Sequence, residues 1–527
     1  MKHNEKRIAV GMLAATILLS GCGGGKTGKL NSDIDLSTYP IDTDVKLTYW
    51  CDLTTNASAT VANFGETEFS KELEKRTGIS VEYLHPAQGQ GGEAFSLMIA
   101  SNDLPDMIYN KWNTVLGSPQ AAIDDGVIIG LNDMVNEYAP NLKNYLEANS
   151  EIDKMTKTDD GKYYVFPFIR GDDKLLISNG PVIRKDWLDE LGLKEPTTVS
   201  ELEETLIAFR DKKGAVAPLS VTSGETSRLF YIFSANSDFY VDNGVVKYGP
   251  CEEEYKQALV KLQEWFKQGL LDNNYFSNDS KIVDANILNG KTGVTYGSGG
   301  SGLGKWLESI EKENTGFDLM ALSYISADGS DLPAYIPAEN YFSGFGAAIT
   351  SACAYPELAS KFLDYSYSED GSMLNNFGIE GESYTMIDGK PIYTDEIMKN
   401  SEGLSISQAM ARYIRACNNA PFVQDKGYID QYYVREQQKE ALNKWTKGYQ
   451  EVKLKIMPPI TLTAEESEEF VNIMADVTKS CNEFAASVIS GIKSVDEYEG
   501  FKESIGNLNI KRALEIQQAA YDRYMKR

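Results

Sequence analysis

The stretch VKLTYWCDL, Val45 to Leu53, followed by EFSKELEKRTGISVEYLHP, Glu68 to Pro86, decides the fold class. The first piece alternates as a strand does, since successive side chains point to opposite faces. The second opens with apolar positions at helical spacing, stops at Gly78, where a residue without Cβ ends helices cheaply, and resumes as a strand. Strand, helix, strand is the start of a βαβ unit. EAFSLMIASNDLPDMIYNKW, Glu93 to Trp112, continues it with a helix ending near Ser101, a turn at Asn102-Asp103 and a strand from Pro105-Asp106 into Trp112. AAIDDGVIIGLNDMVNEYAPNL, Ala121 to Leu142, adds a helix, a turn and an amphipathic helix. This alternation predicts an α/β lobe with a largely parallel sheet.

Upstream, Lys2, Lys6 and Arg7 precede the uncharged apolar segment Ile8 to Leu19, which ends in LLSGCGGGKTGKL, Leu18 to Leu30. That is the layout of a signal peptide, and it falls short of the roughly 20 apolar residues that a spanning helix needs. Leu19-Ser20-Gly21-Cys22 resembles a bacterial lipobox. The resemblance implies that residues 1–21 are removed, that the thiol of Cys22 is diacylated, and that residues 22–44 form a tether outside the membrane, made flexible by Gly23, Gly24 and Gly25. The competing reading is a plain secretory signal with an incidental cysteine.

At 527 residues, 42% hydrophobic and 24% charged, the chain is long enough for two or three domains. Its formal charge of −26 becomes −28 once residues 1–21 are gone, because they hold three positive charges and one negative. Such acidity argues against nucleic acid or an anionic membrane surface as a partner. Beyond Cys22 the cysteines are Cys51, Cys251, Cys353, Cys417 and Cys481, an odd number without a CxxC pair, which speaks against structural zinc and a dense disulfide framework. His85 is the sole histidine outside the leader, so a zincin site is excluded and a catalytic triad would hang on it alone; we read it as a strand-end residue.

Several segments in order, EFSKELEKRTGISVEY, LPDMI, DGKYYVFPF, IRKDWLDELGLKEPTTVSELEETLIAFRD, FGIEGESYTMIDGKPIYT, MPPITLTAEESEEFVNIMADV and ALEIQQAAYDRY, make the chain similar to bacterial extracellular solute-binding proteins of the sugar-binding kind. They spread from about Lys46 to Tyr524. Within that family the resemblance is to the large lipoproteins that deliver complex oligosaccharides to ABC importers. The resemblance implies two α/β lobes of the periplasmic-binding-protein-like fold, joined by a hinge with the ligand between them. It places residues 45–165 plus 338–395 in the first lobe and 166–337 plus 396–527 in the second, with crossings near Tyr163 to Phe168, Tyr335 to Phe345 and after about Thr394. Thr463, with Glu466 three residues on, should cap a long amphipathic helix of the second lobe. The implied partners are a carbohydrate ligand and ABC permease subunits, with the membrane reached only through the lipid anchor. The implied protein is a monomer without cofactor, enzymatic activity or nucleic-acid partner.

Sugar rings stack their C–H faces on aromatics, so aromatics at strand ends are the candidates. These are Trp50 and Trp112 in the first lobe, Tyr296 in the second and Tyr341 in AENYFSGFGAAI; Arg170 adds a planar donor fork. The competing reading for each aromatic is core packing, as it is more strongly for Trp187. GSGGSG, Gly297 to Gly302, fits a dinucleotide fingerprint with Asp318 beyond it, but the resemblance makes it a cleft loop. NGKTG at Asn289 and GGKT at Gly24 lack the distal glycine of a phosphate loop. Where relatives carry an oxygen-rich calcium loop, this chain has DKKGAVAPLS with Lys212 and Lys213, so a lost site is expected. The rival function is a glycoside hydrolase with carboxylates about 5–9.5 Å apart, for which Glu380 with Glu382, Asp125 and Glu339 are the candidates.

Overall fold

The computed structural model describes residues 34–114, 117–311, 316–326, 332–415 and 420–527. Cys22 and Cys417 lie outside them. The opening βαβ unit forms as its sequence requires. Helix Glu68–Thr77 is capped at its start by Thr67, whose hydroxyl accepts from Ser70 N, and stops at Gly78 with φ 73°. A Cβ on Gly78 would meet Ile41 O at 2.2 Å, so position and conformation both require glycine. Strand Lys46–Trp50 pairs in parallel with Ser80–Leu84 on one side and Met107–Lys111 on the other. Strand Phe345–Ile349 then inserts antiparallel between Met107–Lys111 and the short Phe166–Pro167, completing a five-stranded sheet.

Period-two alternation divides this sheet between two cores. Leu47, Tyr49, Met107, Tyr109, Ala347 and Ile349 face one, while Trp50, Ile108 and Ala348 face the other with Phe95 of helix Gly91–Ser101.

The second lobe is built on a three-stranded sheet in which Asn179–Arg184 lies between Leu319–Ala321 and Val294–Ser298, antiparallel to both. Helices Val199–Lys213, Glu253–Lys267 and Ala464–Ile489 contribute Phe209, Trp265 and Phe484 to its core. The long helix starts with the expected box: Thr463 Oγ1 accepts from Glu466 N at 3.2 Å and Glu466 Oε2 accepts from Thr463 N at 3.0 Å.

Three boundaries differ from expectation: residues 34–44, expected in the flexible tether, pack on the first lobe, where Ile41 is buried and the Tyr39 hydroxyl donates to Lys361 O at 2.6 Å, and two lobe boundaries shift. Residues 395–415 and 420–422 stay with the first lobe, because Ile397, Ala409 and Met410 pack on Phe377, Ala420 and Phe422 join that lobe's core, and the Arg415 guanidinium lies 4.3 Å from the ring centres of both Phe64 and Phe69. The last helix, Ile510–Lys526, begins in the second-lobe core with Ile510 and Ala513 but ends in the first, where Tyr524 packs with Trp50 and Arg527 Nε reaches Asp159 at 3.0 Å.

Candidate functional site

Three chain segments cross between the lobes side by side. The middle one, Phe168 to Gly171, takes its hydrogen bonds from both flanks: Phe168 N to Phe345 O and Arg170 N to Tyr341 O on one side, Ile169 N to Phe422 O and Gly171 N to Gln424 O on the other. Arg170 ties the three together, its Nε 2.6 Å from Glu339 Oε2 and its Nη1 3.1 Å from Gln424 Oε1. Tyr341 packs against the cores of both lobes, and its hydroxyl donates to Asp173, which also accepts from Gln450 at 2.7 Å.

Beside this hinge a cavity of about 410 Å³ opens between the lobes. The first lobe contributes Lys111 and Asn113, at and just past the carboxyl end of strand Met107–Lys111, where ligands of parallel sheets bind. The second lobe contributes Tyr231, at the end of helix Thr226–Tyr231, and Tyr240, carried by the hairpin Phe239–Asp242 and Val245–Tyr248. That hairpin turns on Asn243 and Gly244, with φ of 50° and 84°, the two positive values that a two-residue I′ turn needs. Tyr335 and Glu339, leading into the second crossing, and Lys455, at the end of the turn Lys453–Lys455, complete the lining.

The three tyrosines form one cluster. Tyr335 stacks on Tyr231 at 5.9 Å between ring centres and meets Tyr240 edge-on at 5.4 Å, with the Lys455 ammonium 5.0 Å from its own ring centre. Burial pushes the Tyr231 hydroxyl up to about 12, and burial together with the neighbouring Tyr240 hydroxyl holds Tyr335 far above the ordinary tyrosine range. The cluster therefore meets a ligand as neutral phenols, able to donate and accept hydrogen bonds around apolar ring surface. Across the first-lobe wall Phe345, 37% exposed, stacks on Tyr109 at 6.2 Å, with Lys111 Nζ 5.9 Å from its centre.

The residues expected from sequence sit elsewhere. Trp112 is fully buried, its indole N–H donating to Ile108 O at 3.3 Å and its ring edge-on to Phe95 at 5.9 Å. Trp50 flanks the same Phe95 at 6.0 Å. Both tryptophans fall on the sheet face that helix Gly91–Ser101 covers, so ending a strand does not bring them to the cleft. Tyr296 lies in the middle of strand Val294–Ser298, opposite Pro181, and faces the second-lobe core. Arg170 and Tyr341 are brought together, in the hinge. The sequence signals that were passed over are the Asn-Gly hairpin, which places Tyr240, and Lys111, which closes its strand on the uncovered end.

The other motifs resolve into structure. Gly297 to Gly304 offers no cradle, since a Cβ on Gly297, Gly299, Gly300 or Gly304 would strike Trp306, Tyr433, Tyr432 or Gln438 within 2.5 Å. His85 Nε2 accepts from Phe64 N at 3.1 Å and Nδ1 faces Cys51 O at 2.8 Å, so the ring is neutral with its proton on Nδ1, and burial lowers its pKa. Trp187 is core, edge-on to Phe209 at 5.1 Å. Lys212 and Lys213 close helix Val199–Lys213, Lys213 pairs with Glu190, and Ala215 and Ala217 beyond them are buried. Among the described residues no cluster of three metal-ligating side chains occurs, and no helix is long and apolar enough to cross a membrane. Cys51, Cys251, Cys353 and Cys481 are free thiols. Of the carboxylates considered for hydrolysis, Glu380 and Glu382 are exposed on the turn before strand Tyr384–Ile387, Asp125 is exposed at the end of helix Pro119–Asp124, and Glu339 is engaged by Arg170.

The chain is 25% identical over 558 aligned residues, 98% of its length and 97% of the other's, to the fructooligosaccharide ABC transporter substrate-binding protein FusA of Streptococcus pneumoniae serotype 4. It is 26% identical over 352 residues, 63% of its length and 66% of the other's, to lipoprotein LipO of Bacillus subtilis. Among solved structures it matches the alginate-binding protein AlgQ2 without calcium ion, with a TM-score of 0.77 at 24% identity, covering 92% of this chain and 99% of that one. FusA and AlgQ2 are by name binding proteins. Residues 54–373 match one family model, a range that takes in four of the five first-lobe strands, the second-lobe sheet and two of the crossings, and the chain belongs to that family, the bacterial extracellular solute-binding proteins.

Proposed function

We propose that this protein is the extracellular capture component of an ABC importer and that it holds an oligosaccharide in the cavity between its lobes. The observation that carries this reading is the tyrosine cluster of Tyr231, Tyr240 and Tyr335 in that cavity, beside a hinge of three segments lying side by side. Rings and phenol hydroxyls side by side match the C–H faces and hydroxyls of a pyranose or furanose. A hinge of this kind permits lobe closure, and closure is driven only by a ligand that binds the closed form better than the open one. The closed form then docks on permease subunits. The near full-length similarity to FusA supports the ligand class. A melting screen over plant and microbial oligosaccharides tests it. At 100 times its dissociation constant a true ligand adds about 2.7 kcal/mol of stability. A screen in which no oligosaccharide raises the melting temperature, while an amino acid or peptide does, would remove carbohydrate as the cargo.

In this reading Cys22 is the anchor, with residues 1–21 removed and a monomer tethered at the outer face of the membrane. The similarity to lipoprotein LipO supports it, as does the short apolar run before Leu19-Ser20-Gly21. Cys22→Ala should move the protein from the membrane fraction to the medium, and mass spectrometry of the wild type should find a diacylglyceryl group on Cys22. Retention of the alanine variant in the membrane fraction together with an unmodified wild-type cysteine would refute the anchor.

A further inference from the structure

The cavity places two ammonium groups beside two carboxylates, Asp238 and Glu339, in a chain that is strongly acidic overall. The chain as a whole has a formal charge of −26, yet two ammonium groups line the cleft, one on each side: Lys111 at the end of a first-lobe strand and Lys455 in the segment returning along the hinge. Among the described residues neither is paired with a carboxylate. Lys455 Nζ donates to Ala334 O at 3.1 Å and lies over Tyr335, and Lys111 Nζ lies over Phe345. The two acids of the cavity have other hydrogen-bond partners than the lysines. Glu339 is held by Arg170 at 2.6 Å, and Asp238, exposed, accepts from Phe239 N at 2.7 Å. An ammonium has three donors, so each lysine keeps capacity for an anion.

Resting on the carbohydrate reading above, we infer that the cargo is an anionic, carboxylate-bearing oligosaccharide, an oligouronate, whose rings meet the tyrosine cluster while its carboxylates are taken by Lys111 and Lys455. Aromatic surface with an ammonium poised over it is the combination that a uronate ring needs: a flat apolar face for its C–H surface and a cation at its edge. A neutral sugar would leave both ammonium groups to be desolvated without return, which disfavours it in a closed cleft.

The test is calorimetric titration of the wild type, Lys111→Gln, Lys455→Gln and the double variant with trigalacturonate, with a neutral trisaccharide and with a sulfated trisaccharide, at low and at high salt. Melting curves confirm that each variant is folded. Trigalacturonate should bind the wild type at least tenfold more tightly than the neutral sugar, weaken with salt, and lose about tenfold affinity with each lysine. Equal or tighter binding of the neutral sugar, or lysine variants within twofold of wild type, would overturn the charge assignment and leave the carbohydrate reading standing. Binding of the sulfated sugar alone would overturn the carboxylate assignment. Binding of none of the three, in a screen where another class of solute binds, would overturn both readings.

Discussion

Trp112→Ala is expected to lower folding stability by about 3 to 5 kcal/mol while leaving ligand affinity in the folded protein unchanged. The ring is fully buried, fills the space beneath Phe95 on the covered face of the first-lobe sheet, and uses its N–H on Ile108 O. Truncation leaves a cavity among Phe95, Ile108 and Phe342 that the surrounding strands cannot close, because they are pinned by their ladder to Lys46–Trp50 and Phe345–Ile349. The carbonyl of Ile108 loses only a long partner, so most of the cost is packing. Urea unfolding with titration of the best oligosaccharide from the melting screen separates the alternatives. A stable variant with affinity reduced tenfold or more would return Trp112 to the cleft.

Trp112 also shows where sequence reading stops. The strands of the opening βαβ unit, the glycine at position 78 and the capping box at Thr463 are local or patterned signals, and the structure has them where the residues say, whereas the two-lobe architecture is what the family resemblance implies. Which aromatic faces a ligand is not local. Trp50 and Trp112 both end strands, but their face depends on which helix covers that side of the sheet, and Phe95 of Gly91–Ser101 comes from a separate stretch of chain. Tyr335 lies in the extended, proline-flanked LPAYIP, where no periodicity marks a face. The hairpin that delivers Tyr240 was legible in FYVDNGVVKY, whose Asn-Gly pair between alternating strands is a strong short-range signal. The planar fork of Arg170 suits a sugar on sequence alone, yet three segments lying side by side need a tie, and the fork is used for that.

Tyr335 is where the largest loss of binding should fall. Its ring is the centre of the cavity's aromatic cluster, in contact with Tyr231, Tyr240 and the Lys455 ammonium at once, so its removal both deletes stacking surface and releases three neighbours. Tyr335→Ala should cost about 1 to 3 kcal/mol of binding free energy, a fall in affinity of roughly 5- to 150-fold. Tyr335→Phe keeps the ring and should retain most of that affinity, losing only what the hydroxyl supplies. Unlike Trp112, Tyr335 is only half-buried and stands at the cavity wall, so the alanine variant should remain folded and melt modestly lower, by the two aromatic pairs it gives up. Calorimetry on the alanine and phenylalanine variants, with melting in the absence of ligand, makes the distinction. If the alanine variant binds as tightly as the wild type, the cluster is a structural pillar of the hinge, and the ligand is held by a different part of the interlobe surface.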